Sequence, residues 1–190
     1  MGSYSCEKKR GTSSKKNKKL PQQRGRSDIN HTNASTLSPK KMGDESELPP
    51  IARLFLALKE NGIRFQIAGM TAGLLQGVPS TTLDTDIWID LPERKYVAVQ
   101  AICEKLNSTI LAKTVVALED DLLVNFLYRV DGVSSFSSEW KKAKKLVLHG
   151  QTIKILSLRS LLKSKMFLKR EKDLAHIPIL KAVIKRLKKS

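Results

Sequence analysis

The chain is poor in the residues that usually announce a site. Its two cysteines, Cys6 and Cys103, allow neither a disulfide framework nor a zinc-ligand spacing, and they suit a reducing compartment. The three histidines, His31, His149 and His176, are too scattered to suggest a metal site. No apolar run approaches the length that a bilayer-spanning helix needs, and the N-terminus lacks the apolar core of a secretory signal. A cytoplasmic protein without a transmembrane segment is therefore expected. No Ser/His/Asp elbow, phosphate-binding Walker loop or dinucleotide fingerprint is present. Aromatic residues make up 5% of the chain, and Trp88 and Trp140 read as packing residues rather than base-stacking platforms. Acidic residues are also scarce, with 18 Asp and Glu against 35 Lys and Arg.

The resulting net charge of +17 points to a polyanionic partner, nucleic acid before anionic membrane. Residues 1–48 carry part of it in runs such as Lys8-Lys9-Arg10 and Lys15-Lys16. They are rich in Ser, Thr, Asn and Gln and have no apolar periodicity, so a disordered basic tail is expected there. Such a tail suits a nuclear address or a nucleic-acid arm. The opening Met-Gly-Ser-Tyr-Ser-Cys puts Cys6 where a myristoylation signal has Ser or Thr, which argues against lipidation. Residues 51–190 still hold 24 Lys and Arg against 13 Asp and Glu, a net +11, and can bury a core of their own. The expected folded domain is 49–190.

Residues 65–90 organise this domain. A short β run over 64–68 meets a turn at Gly69, and a compact helical segment over 71–76 stops at Gly77. A Pro/Ser/Thr loop then leads into a second β run, 84–90, with strict alternation. Alternation puts Asp84 and Asp86 on one face of that strand, about 7 Å apart along it. Two carboxylates so placed suit a divalent cation, and a strand-turn-helix beside them suits a phosphate. Together they fit phosphoryl or nucleotidyl transfer. By itself Asp-x-Asp is more often a solvated strand end. Thr82 either bonds phosphate or caps the loop.

Around this stretch the pattern predicts an amphipathic helix over 51–61, with Ile51, Leu54, Phe55 and Leu58 on one face and Gly62 as its stop. A helix from Pro92 to about Leu106 follows. Strands are expected over 114–118 and 122–128, and a hairpin at 145–156 turns on His149-Gly150-Gln151. Ser157 caps a helix to about Leu168, and a last helix starts near Glu171, with a kink or break at Pro178. The order predicts an α/β (α+β) domain, a small mixed sheet flanked by helices. Lys165, Arg170, Lys172 and Asp173 gather at the last helix junction. If the lysines share a cleft they can neutralise a triphosphate, with Asp173 orienting Lys172 or Arg170; otherwise they form an ordinary charged surface.

Two sets of residues carry a family resemblance. Ala68-Gly69-Met70, Gly77 and Thr82-Leu83-Asp84-Thr85-Asp86 resemble the signature of the nucleotidyltransferase superfamily of DNA polymerase beta-like enzymes. Leu161-Leu162-Lys163-Ser164-Lys165 and Arg170-Glu171-Lys172-Asp173-Leu174 resemble the late motifs of small bacterial nucleotidyltransferase-like proteins, among them toxins of the abortive-infection group. The resemblance spans residues 51–180. It implies a minimal nucleotidyltransferase-like fold that uses an NTP with Mg²⁺ or Mn²⁺. Asp84 and Asp86 would hold the metal, and Gly69, Met70, Thr82, Lys165, Arg170, Lys172 and Asp173 would surround the nucleotide. An RNA or tRNA acceptor, a protein hydroxyl acceptor and an antitoxin partner are the associated expectations. Three positions depart from the family pattern. Met70 replaces a small turn residue, Asn125 stands at the third carboxylate position, and His176 stands where an Asp is frequent. Asp121 and Asp131 are poorly placed substitutes for Asn125. These departures favour a second expectation, a catalytically degenerate domain that binds nucleotide or nucleic acid as a partner module.

Overall fold

The computed structural model describes residues 47–189; the expected basic tail lies outside the described residues. Pro49 and Pro50 open helix α1 (Pro50–Glu60), a position where proline's missing N–H and fixed φ fit the first turn. Ala52, Leu54, Phe55 and Leu58 form its buried face. Strand β1 (Phe65–Ile67), helix α2 (Gly69–Leu74) and strand β2 (Asp84–Ile89) follow as the alternation predicts, except that α2 begins at Gly69 itself.

The segment after Pro92 is a 3-10 turn, Glu93–Lys95, before α3 (Val97–Lys105). Next comes β3 (Thr109–Ala112), a strand the sequence reading missed because Ile110, Leu111 and Ala112 run together without polar/apolar alternation. It pairs with β4 (Val115–Ala117), which pairs with β5 (Leu123–Leu127). Helix α4 (Phe136–Lys142) is capped by the Ser135 side chain. It leads into the hairpin of β6 (Lys144–Leu148) and β7 (Gln151–Ile155). His149 and Gly150 both have positive φ there, as a tight two-residue hairpin turn requires. Ser157 caps α5 (Leu158–Leu168), its side chain accepting the Ser160 N–H at 3.2 Å.

The last helix, α6 (Glu171–Leu187), runs uninterrupted through Pro178, contrary to the expected break. Pro178 and Leu174, one turn earlier, are both exposed, so the carbonyl that loses its partner faces the solvent side.

The seven strands form one mixed sheet in the order β3-β4-β5-β2-β1-β7-β6. β2 is antiparallel to β1 and parallel to β5, and β1 is parallel to β7. The central strands carry Ile67, Ile87, Trp88, Ile89, Val124, Phe126, Ile153 and Ile155, all 2% exposed or less; α2 packs on β2 and α1 on β7, while α3 packs on α1 and β3, and α5 on α2 and α6. Trp88 donates its indole N–H to the Tyr128 carbonyl at 3.0 Å, so it is a satisfied packing residue. Because β1 is antiparallel to β2 and β2 is parallel to β5, the end of β1 lies beside the starts of β2 and β5. Among the described residues no helix is long and apolar enough to cross a membrane.

Candidate functional site

The site is built from the turn after β1. Gly69 has φ +56°, and a Cβ there would lie 2.0 Å from Oδ2 of Asp86. Only glycine allows both the left-handed turn and the close seat of this carboxylate. Met70, the second turn residue, is 7% exposed and belongs to the core cluster. Its methyl group lies beside Gly73 within α2.

Asp84 and Asp86 lie on the same face of β2, as alternation requires. Thr71 donates its hydroxyl to the Asp84 carbonyl at 2.8 Å, tying α2 to the start of the strand. Thr82 donates to the Asp84 carboxylate at 2.8 Å, so in this state it orients a carboxylate. The β2/β5 register sets Asp86 directly beside Asn125, whose side-chain N–H donates to Asp86 Oδ1 at 3.0 Å. Burial pushes the Asp86 carboxyl above its ordinary value. The Asn125 bond and the charges of Lys165 and Lys172 act the other way, and the negative charge of Asp84 reinforces the rise.

The opposite wall comes from α5 and α6. Lys165 is 6% exposed and Asp173 fully buried. The Lys165 ammonium donates to Asp173 Oδ1 at 2.7 Å, and Arg170 Nε donates to Oδ2 at 2.6 Å. Asp173 thus orients Lys165 and Arg170, where the sequence reading had proposed Lys172 or Arg170. Burial alone would raise its carboxyl. The hydrogen bonds and charges of Arg170 and Lys165 outweigh burial and hold it at about 2.

A cleft of about 540 Å³ lies between the two walls. Gly69, Met70, Thr82, Asp84, Asp86, Asn125, Lys165, Arg170 and Lys172 all line it. Asp173 lies beneath the wall. The lining also includes Arg129, absent from the sequence reading, Asp131, taken there as a poor substitute for Asn125, and His176, noted there as a departure from the family pattern. Asp131 pairs with Arg129 at 3.1 Å, and Asp121 is not part of the lining. The His176 imidazole is pushed below its ordinary value, by burial first and then by the charges of Lys165 and Lys172. Its Nδ1 is buried without a hydrogen-bond partner.

Among the described residues no three His, Cys, Asp or Glu side chains are grouped to enclose a metal ion. The donor set instead suits a hard divalent cation held by the Asp84/Asp86 pair, with water or phosphate oxygens completing its shell. The half-buried Asp86 carboxylate, on the same strand face as Asp84, fits such an ion.

No protein-family model and no curated protein matches the chain. Among solved structures it is similar to the antibiotic-resistance factor ANT(2'')-Ia, at 14% identity, 72% of this chain, 82% of that one and a TM-score of 0.49. It is also similar to the lincosamide antibiotic adenylyltransferase LnuA, at 14% identity, 70% and 96% coverage and a TM-score of 0.47. An antigenic nucleotidyltransferase-like protein from Paracoccidioides brasiliensis matches at 20% identity, 69% and 74% coverage and a TM-score of 0.45. Likenesses of this size bring no activity, substrate or partner to this chain.

Proposed function

We propose that this domain transfers a nucleotidyl group from an NTP to a hydroxyl acceptor. The observation that carries the reading is the convergence of the Asp84/Asp86 pair with Lys165, Arg170 and Lys172 on one cleft. In that reaction the acceptor oxygen bonds to the α-phosphorus and pyrophosphate leaves. Asp84 and Asp86 would hold Mg²⁺ or Mn²⁺, which when bound neutralises phosphate charge and polarises the phosphorus. Lys165, fixed by Asp173, and the exposed Lys172 offset the remaining triphosphate charge. Thr82 and Asn125 orient the two carboxylates from either side. The basic surface favours RNA, such as tRNA, as acceptor over a protein hydroxyl, and an antitoxin-like partner belongs to the same reading. Residues 1–48 serve as a basic tether; deleting them should lower the salt dependence of RNA binding if they make the main contact.

Asn125 favours a second reading, a nucleotide-binding module without catalysis. An amide cannot take a proton from the acceptor or supply a third negative charge. Mg²⁺-dependent incorporation of each labelled NTP into total RNA and protein separates the two, with Asp84→Asn and Asn125→Asp beside the wild type. Labelling by the wild type that Asp84→Asn loses supports the transferase. Labelling only by Asn125→Asp supports the degenerate module. Silence in all three removes the transferase reading.

A further inference from the structure

A second cleft, of about 340 Å³, lies at the other end of the same strands. The first cleft sits beyond the end of β1, at Gly69. The second is lined by Arg64 and Phe65, where β1 starts, and by Ile153 and Lys154 of the parallel neighbour β7. Its floor is apolar: Ile63, Phe65, Ile153 and the edge of Trp140. Its rim is cationic: Lys59, Arg64, Lys145 and Lys154.

This rim is not what folding alone would select. Lys145 and Lys154 stand directly opposite each other on the β6/β7 ladder, an arrangement in which like charges repel. Burial lowers Lys154, and the charges of Lys145 and Arg64 lower it further. Among the described residues the one carboxylate in an ion pair with these four cations is Asp90, on Arg64. Lys154 is held in place by donating to the Trp140 carbonyl at 2.7 Å while its ammonium lies 4.1 Å from the centroid of the Trp140 ring.

We infer that this cleft docks an acidic protein segment, in which one large apolar side chain enters the floor and flanking carboxylates meet Lys59, Lys145 and Lys154. Charge complementarity selects an anionic occupant. The chain's own residues 1–41 are excluded on sign, with 11 Lys and Arg against 2 Asp and Glu, and the acidic run at 44–47 is joined to the start of α1, whereas Lys59 lies in its last turn. A nucleic-acid strand fits the rim but not the floor. Bases need an open aromatic face to stack on, and Trp140 is already stacked on Phe136 and covered by Lys154, while Phe65 is stacked on Phe55. The floor offers room for one side chain and few groups to match the polar edge of a base. This surface is independent of the chemistry proposed for the first cleft.

The test uses the full chain and two end-capped peptides, Glu-Asp-Glu-Asp-Phe-Glu-Asp-Glu-Asp and the same peptide with Ser for Phe, measured by titration calorimetry. The Phe peptide should bind about tenfold or more tightly than the Ser peptide. Lys59→Glu with Lys145→Glu should weaken it by about tenfold or more, because both charges meet the ligand. Lys185→Glu with Lys188→Glu, on exposed lysines of the α6 end, should change it by less than about twofold. Lys59→Gln with Lys145→Gln repeats the loss without charge reversal, should the first pair unfold the chain. Equal affinity for the two peptides would overturn the proposal, as would an equal loss in the α6 pair. Tighter binding of a single-stranded RNA 12-mer, lost in the Lys59/Lys145 pairs, would also overturn it, in favour of nucleic acid.

Discussion

The two ends of the central strands solve opposite electrostatic problems. At the Gly69 end, carboxylates on β2 face cations on α5 and α6, and each sign is anchored by bonds to its own side. At the Arg64 end, four cations crowd an apolar floor. The first arrangement can hold a cation and a polyanion at once. The second favours an anionic occupant. The domain's charge of +11 is therefore not a uniform coat, because part of it is balanced inside one cleft and part is left unbalanced in another.

Removing the buried anchor of the mixed-charge end should have the largest effect. Asp173→Ala leaves Lys165 buried without a partner and should cost about 3–5 kcal/mol, read from urea unfolding. The same carboxyl sets an acid limit. Its value is depressed, so the stability it contributes is complete above the ordinary carboxylate range near 4 and is lost as pH falls towards about 2. Asp173→Asn should flatten that acid limb of the stability profile.

Gly69→Ala is next. Left-handed backbone costs alanine about 1–2 kcal/mol, and the added methyl group displaces the Asp86 carboxylate. Nucleotide labelling, where the wild type supports it, should be abolished while the chain still folds cooperatively. At the one-signed end the effect should be small and opposite. Lys145→Thr relieves the cross-strand repulsion with Lys154 and should raise stability by about a few tenths of a kcal/mol. A loss of stability in that variant would mean that the two ends do not differ as described.

The mixed-charge end was largely legible in the sequence. Alternation put Asp84 and Asp86 on one face, and a glycine between a strand and a short helix fixed the turn. Spacing within the helix pair brought Lys165, Arg170 and Asp173 together, although which cation Asp173 holds depended on how α6 packs against α5. Asn125 was placed beside the carboxylates by the family resemblance, on a strand whose pattern was clear. His176, Arg129 and Asp131 reach the cleft only through packing at the helix junction and the loop after β5, and no local period reports that. β3 was invisible because its apolar residues run together without alternation. The second cleft was invisible for a stronger reason. Its residues come from α1, the loop before β1, the start of β1, α4 and both strands of the hairpin, and each, taken alone, is an ordinary surface or core residue.

The seat of the Asp86 carboxylate against Gly69 has a consequence for descent. The two positions are separated in the chain but share one volume, so position 69 cannot gain a side chain while the acid stays. A related chain that acquires a side chain at position 69 must already have shortened or lost the acid at position 86. One that keeps the acid must keep the glycine. The pair is thus a heritable marker, readable from any homologous sequence, of whether a lineage has retained the acid proposed to hold a metal.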